Sequence, residues 1–143
     1  MAWDEGMSGV VVLPGGLLVR GRSRRTPVLV APDGGLYLRG RRPSPTAWPH
    51  RWVRWPDFAL PLDATDARDA LVEARRRAAS ERVEIGCGHG LGRTGTALAA
   101  LAILDGLNSD AAVAWVRDAY HPRAIDTPWQ RAWLRRFARR WPS

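Results

Sequence analysis

The sequence predicts an α/β domain with a central, partly parallel, twisted sheet of about four to five strands flanked by helices. Short β-forming runs separated by Gly- and Pro-rich turns fill the first sixty residues. A helical stretch, another strand and a nearly all-apolar helix follow, and two further helical stretches end the chain. At 143 residues, the chain is expected to form one domain over 1–143, with a β-rich part over 1–50 and a helical, site-bearing part over 51–143.

The strand predictions rest on β-forming runs that are bounded by turn residues. Gly and Pro at 14–16 and at 32–35 are typical of turns, because they favour backbone angles that extended structure does not use. Strands are expected at 10–13, 17–20, 28–30, 36–39, 52–55 and 82–85.

Helical periodicity begins after residue 60. Residues 63–79 place apolar side chains on one face, and the almost wholly apolar run 92–107 predicts a helix buried at the centre. The last two helices are expected over 108–120, capped by Asn108 or Ser109, and over 126–141, capped by Asp126 or Thr127 with Pro128 in the first turn. In the final helix, four-residue steps predict one apolar face made of Trp129, Trp133, Phe137 and Trp141.

Composition excludes several classes of protein. The net charge is +8, and all 22 basic residues are Arg, which is typical of the codon bias of a GC-rich bacterial genome rather than of selection for one chemistry. The positive charge is expected to attract anionic partners, but it does not by itself indicate nucleic-acid binding. The longest apolar run, 97–104, is too short to span a bilayer, so no membrane insertion is expected. A single Cys excludes an internal disulfide and favours a reducing, cytoplasmic location, and the Cys and His residues lack zinc-site spacing.

The most informative segment runs from Val83 to Gly95. A predicted strand leads into Cys87, glycines fill the following loop, and the apolar helix begins near Arg93. Glycines let successive N–H groups surround one anion, and a helix N-terminus adds unsatisfied donors and a positive dipole end. Arg93 can hold two phosphate oxygens with its planar fork, and the same field favours a nucleophilic thiolate at Cys87. The segment predicts a phosphate cradle formed by Gly88, His89, Gly90, Leu91, Gly92 and Arg93.

This loop resembles the signature of the protein tyrosine phosphatase superfamily, in which a Cys is followed by five residues, an Arg and then Ser or Thr. Thr94 stands at that last position, and the resemblance implies that its hydroxyl assists departure of the thiolate from a phospho-cysteine. Upstream, the segment 55–61, Trp-Pro-Asp-Phe-Ala-Leu-Pro, resembles the mobile acid loop of the family and implies Asp57 as general acid and then general base. A weaker resemblance at 124–130 implies that Gln130 orients the hydrolytic water.

The chain also departs from the family pattern. Gly86 stands where the family usually has His before the nucleophile, and Ala59 stands where the acid loop usually has Gly. His89 is unusual within the cradle and is expected either to contact substrate or to face solvent. The alternatives are that Cys87 is a buried structural residue, that Asp57 belongs to an ordinary turn, and that Gln130 is an ordinary exposed helix residue.

The resemblance implies a compact, dual-specificity-like bacterial phosphatase with a cysteine-phosphatase-like fold and metal-independent turnover. No cofactor is expected, and the protein is expected to be a monomer. The expected substrate is protein phosphotyrosine. The alternatives are the same chemistry on a phosphoinositide, an inositol phosphate or an RNA 5′ phosphate, and a non-catalytic phosphate-binding module. A nucleic-acid binder using the arginines of the last helix is a further alternative, although nucleic-acid binding is not expected.

Overall fold

The computed structural model describes residues 3–141. Within that range the chain forms five strands and four helices, in the predicted order except that the strand expected at 28–30 is missing. The strands are β1 Val10–Val12, β2 Leu18–Ser23, β3 Gly34–Arg39, β4 His50–Arg54 and β5 Val83–Cys87. The helices are α1 Ala64–Ala78, α2 Gly92–Leu104, α3 Ser109–Ala119 and α4 Pro128–Arg140. No helix in this part of the chain is long and apolar enough to cross a membrane.

The sheet order places the candidate nucleophile at its centre. The strands run β1-β2-β5-β3-β4, and every neighbouring pair except β1 with β2 is parallel. β5 therefore lies between β2 and β3, and its carboxyl end carries Cys87. This mostly parallel sheet with its helices confirms the predicted fold class.

The apolar core lies on one face of the sheet. The side chains of Val19, Leu36, Leu38, Val53 and Ile85 alternate toward this face, and they form one cluster with buried residues from all four helices. α2 runs through the middle of the cluster, where residues 97–102 are fully buried. The prediction of a central buried helix is confirmed, although α2 ends at Leu104 rather than at residue 107.

One predicted strand is wrong. Residues 28–30 lie in the connection between β2 and β3 without strand structure, and the side chain of Leu29 is 92% exposed. β2 already pairs with β1 and β5, and β3 already pairs with β4 and β5, so neither strand has a free edge to offer. A β-forming composition without a pairing partner does not make a strand.

The caps of the last two helices are now assigned. The side chain of Asn108 accepts a hydrogen bond from the backbone of Ala111 at the start of α3. Thr127 caps α4 and forms a reciprocal capping box with Gln130. The predicted apolar face of α4 holds for Trp133 and Phe137, which are buried, whereas Trp129 is 51% exposed.

Candidate active site

The cradle is the turn between β5 and α2. Cys87 is fully buried at the end of β5, and its Sγ accepts hydrogen bonds from the backbone N–H of Gly90 at 3.1 Å and from the Thr94 hydroxyl at 3.0 Å. Two donors at one sulfur stabilise negative charge there, and the N-terminus of α2 contributes its positive end. The arrangement is suited to holding a thiolate.

Two side chains that the sequence analysis did not identify hold the carbonyl groups of the loop. The Ser23 hydroxyl donates to the Gly88 carbonyl at 2.9 Å, and the Tyr120 hydroxyl donates to the Gly90 carbonyl at 2.5 Å. Burial, together with the negative charges of Cys87 and Glu84, raises the pKa of Tyr120, so that its hydroxyl stays protonated as a donor. These two bonds satisfy two carbonyl groups of the loop and fix the loop to β2 and to the end of α3.

Gly90 is required by the shape of this turn. Its φ is +74°, a left-handed conformation that side chains disfavour, and an added Cβ would lie 2.7 Å from the backbone nitrogen of Ser23. Close approach of the loop to the end of β2 therefore depends on a glycine at this position. A side chain at position 21 of β2 would also clash with its surroundings, because the Tyr120 ring lies against Gly21.

Arg93 connects the cradle to the acid loop. Its guanidinium is only 6% exposed; Nη1 donates to the Trp55 carbonyl at 3.1 Å, and Nη2 lies 3.4 Å from Oδ1 of Asp57. Nε2 of His89 lies 3.5 Å from Oδ2 of the same carboxylate. The structure thus brings Cys87, Arg93 and Asp57 together, although Asp57 is thirty residues before Cys87 in the sequence.

Tryptophans hold the acid loop over the cradle. Trp55 is fully buried, and its ring centroid lies 5.5 Å from that of Trp133 of α4 in a tilted arrangement. Its Nε1 donates to the Ala59 carbonyl at 2.8 Å. Exposed Trp129 donates from Nε1 to the Phe58 carbonyl at 2.5 Å. Phe58, not Ala59, adopts the positive φ, +57°. In this conformation, position 59 does not need the glycine that is usual in the family.

Gln130 is not an exposed helix residue, so that alternative is wrong. It is fully buried, and its Oε1 accepts hydrogen bonds from the backbone N–H groups of Asp126 at 3.0 Å and Thr127 at 3.3 Å. Its Nε2 donates to the Ala59 carbonyl at 3.4 Å. These contacts fix the start of α4 against the acid loop, and the role of Gln130 in orienting water stays a prediction.

The structure explains the glycine before the nucleophile. A Cβ on Gly86 would lie 3.1 Å from the Arg22 carbonyl oxygen and 3.1 Å from the Tyr37 ring. Tyr37 therefore covers the side of β5 where the family usually places its His. Its hydroxyl donates to Oε2 of Glu84 at 2.8 Å and accepts from Trp48 Nε1 at 2.8 Å.

Glu84 is the centre of a buried ionic network on this face of the sheet. The carboxylate is fully buried and accepts from Arg20 at 2.6 Å, from Arg22 at 2.7 Å and 2.9 Å, and from Tyr37. Burial raises the pKa of Glu84, but hydrogen bonds from Arg22 and Tyr37 and the charges of Arg22 and Arg20 outweigh burial, so the pKa is lowered overall. Burial and the Glu84 charge raise the pKa of Tyr37 to about 12. The network ties β2, β5 and β3 together next to the cradle.

We expect Glu84→Gln to lower the free energy of unfolding by about 3–5 kcal/mol, because it leaves two guanidinium groups near the protein interior without their counter-charge. Because the folded-state pKa of Glu84 is depressed, its contribution is complete above the ordinary value of 4.5 and is lost as pH falls through the folded-state value. Urea titrations between neutral and acid pH measure both effects.

The matched control is Glu73→Gln, which removes the same charge from an exposed pair with Arg76 on α1. We expect it to leave stability nearly unchanged. Equal destabilisation by the two variants would contradict a structural role for the buried network, and so would an unaltered slope of stability against pH in Glu84→Gln.

The fold and the cradle define the class to which the protein belongs: it is a phosphatase. The chain belongs to the protein-tyrosine phosphatase family, because the model of that family matches residues 37–122. This match extends from β3 to just beyond α3 and includes the acid loop and the cradle.

Solved structures agree with this assignment. The crystal structure of Tk-PTP in its active form is 25% identical, with a TM-score of 0.68 over 76% of this chain and 80% of that one. A mouse putative dual specificity phosphatase has a TM-score of 0.69 at 16% identity, covering 98% of this chain and 92% of its own. PTPMT1 has a TM-score of 0.60 at 17% identity, covering 92% of this chain and 94% of its own. At these identities, the last two similarities support the fold and nothing more. A search of curated proteins found no match to the sequence.

Proposed function

We propose that the protein hydrolyses phosphate monoesters, with phosphotyrosine in proteins as its substrate, through a phospho-cysteine intermediate. The observation that carries this proposal is the convergence of a hydrogen-bonded Cys87 sulfur, a buried Arg93 and the Asp57 carboxylate at one cleft. We also propose that it works as a monomer in the bacterial cytoplasm.

In the first step the cradle N–H groups and Arg93 bind the phosphate, and Cys87 Sγ attacks phosphorus. The P–S bond forms as the bond to the leaving oxygen breaks, and Asp57 gives that oxygen a proton. A loop is a suitable carrier for Asp57, because it can open for substrate and close over the phosphate.

In the second step Asp57, now a carboxylate, takes a proton from a water that Gln130 orients. The water attacks phosphorus and the P–S bond breaks, which releases inorganic phosphate. Thr94 donates to Cys87 Sγ at 3.0 Å, and this contact supports the proposal that its hydroxyl stabilises the departing thiolate.

Trapping the intermediate tests the proposal. The protein is mixed with para-nitrophenyl phosphate in EDTA, quenched within milliseconds in acid and digested for mass spectrometry. We expect turnover and a phosphate group on the peptide that contains Cys87. Turnover without that adduct would contradict the covalent mechanism, and an inert protein across about pH 5 to 8 would favour the non-catalytic binding module.

A second experiment addresses the substrate class. The kcat/KM values for a panel of phosphotyrosine, phosphoserine and phosphothreonine peptides are compared with those for phosphoinositides. We expect phosphotyrosine peptides to give the highest values. A clear preference for phosphoinositides would replace protein by lipid as the substrate while leaving the chemistry intact.

A further inference from the structure

Five arginines surround the mouth of the candidate site, and we call them the arginine rim: Arg24, Arg25, Arg39, Arg41 and Arg42. They occupy two short segments. One pair follows β2 directly, and the other three lie at and beyond the end of β3. Because β2 and β3 flank β5 in parallel, their carboxyl ends lie on either side of Cys87. The sheet order itself places the two segments beside the cradle.

Backbone hydrogen bonds attach both segments to the site. The N–H of Arg24 donates to the Cys87 carbonyl at 3.1 Å, and the N–H of Trp55 donates to the Arg39 carbonyl at 2.9 Å. The rim therefore has a fixed relation to the nucleophile and to the acid loop. Together with Asp57, His89 and Arg93, it lines a cavity of about 490 Å³.

The described part of the chain leaves the positive charge of the rim without a paired carboxylate. Of the described residues that line the cavity, Asp57 alone carries a carboxylate, and it faces Arg93 and His89. Within the described residues 3–141, no rim guanidinium forms an ion pair, whereas Arg20 and Arg22 of the adjacent strand share Glu84. Nε of Arg39 is buried and has no hydrogen-bond partner among the described residues. Burial and the nearby charge of Arg24 lower the pKa of Arg39. An anion bound at the rim would offset the mutual repulsion of these guanidinium groups.

We propose that the arginine rim binds a second phosphate group carried by the same substrate molecule as the scissile phosphate. This inference rests on the proposed function, because it assigns the scissile phosphate to Arg93 and the cradle. The cavity has the size of a small-ligand site rather than of a single phosphate. Planar guanidinium groups are suited to two-point contacts with phosphate oxygens.

Two kinds of substrate contain such a second phosphate. One is a peptide with a phosphorylated residue close to a phosphotyrosine, and the other is a small polyphosphorylated molecule such as an inositol bisphosphate. The test therefore uses two matched pairs of substrates. One pair is a phosphotyrosine peptide with and without a phosphoserine two residues away, and the other is an inositol bisphosphate with the corresponding monophosphate. The ratio of kcat/KM within each pair isolates the contribution of the second phosphate.

For the wild-type protein we expect the second phosphate to raise kcat/KM about tenfold in one pair, and the pair that responds identifies the source. The ratio should fall toward one in the Arg24→Gln, Arg41→Gln double variant and should decrease as salt increases. The control is Arg135→Gln, an exposed arginine of α4 outside this cavity, which should keep the wild-type ratio.

Failure of this inference is distinguishable from failure of the proposed function. Turnover of para-nitrophenyl phosphate with a ratio of one in both pairs would overturn the second-phosphate site alone. An equal ratio in the wild type and the double variant would do the same. If the wild type is inert, calorimetric titration of the Cys87→Ser protein with both pairs decides the matter. Equal affinity for singly and doubly phosphorylated ligands would then reject the rim as a binding site.

Discussion

Replacing Cys87 with serine is expected to reduce turnover by on the order of 10⁴-fold or more, since loss of a nucleophile removes the whole covalent route. Serine is nearly isosteric with cysteine, but its hydroxyl ionises far less readily than a thiol. The donors that now meet the sulfur, Gly90 N–H and the Thr94 hydroxyl, would meet a neutral oxygen. Steady-state hydrolysis of para-nitrophenyl phosphate measures the loss.

The same variant should keep its affinity for phosphate. The Arg93 guanidinium is retained, and a serine hydroxyl can still accept from the Gly90 N–H, so the Cys87→Ser protein should still bind a phosphotyrosine peptide in calorimetry. A variant that neither turns over nor binds would point to a collapsed cradle rather than to a missing nucleophile. Turnover near the wild-type level would exclude Cys87 as the nucleophile.

The elements that could be predicted from the sequence are those fixed by local patterns. The caps at Asn108 and Thr127 are examples, because each needs only its own side chain and the next helical turn. The buried helix α2 was evident from its composition. The strand at 28–30 failed because a strand needs a pairing partner, and β2 and β3, the two strands that this segment connects, are already paired on both sides.

In the candidate site, too, local parts could be predicted from the sequence and distant parts could not. The cradle is contiguous in sequence, so its glycines, Cys87 and Arg93 could be identified from spacing and a family resemblance. The groups that support it are distant along the chain: Ser23 and Tyr120 at the loop carbonyl groups, and Glu84 with Tyr37 behind Gly86. None of these has a local signature, because each depends on which strands become neighbours.

The arginine rim was missed for a different reason. Its residues form two clusters that follow β-forming runs in the sequence. In a chain with 22 arginines, such clusters do not stand out from the rest of the sequence. These clusters can be assigned to the mouth of the candidate site only when β2 and β3 are known to flank β5. Arginine pairs at the carboxyl ends of strands adjacent to a nucleophile strand are therefore the signal to seek in similar sequences.

Replacing Asp57 with asparagine is expected to lower kcat for phosphotyrosine peptides by about 10²–10⁴-fold, the usual contribution of a general acid. Asparagine keeps the size of the side chain and can still approach Arg93, but it cannot give a proton to the leaving oxygen. The loss should be smaller for para-nitrophenyl phosphate, since its leaving group departs readily without a proton. Stopped-flow measurement of the first turnover with both substrates separates this effect from slower hydrolysis of the phospho-enzyme.

The matched control for the acid is Asp69→Asn, which removes a carboxylate from an exposed pair with Arg68 on α1, away from the cleft. It should leave both substrates unaffected. A structural role for Asp57 would predict equal losses for both substrates, because a displaced loop weakens binding whatever the leaving group. A loss that grows as the leaving group becomes poorer is explained only by proton donation. The loss of rate with phosphotyrosine peptides divided by the loss with para-nitrophenyl phosphate therefore tests whether Asp57 acts as the general acid, and neither loss alone does so.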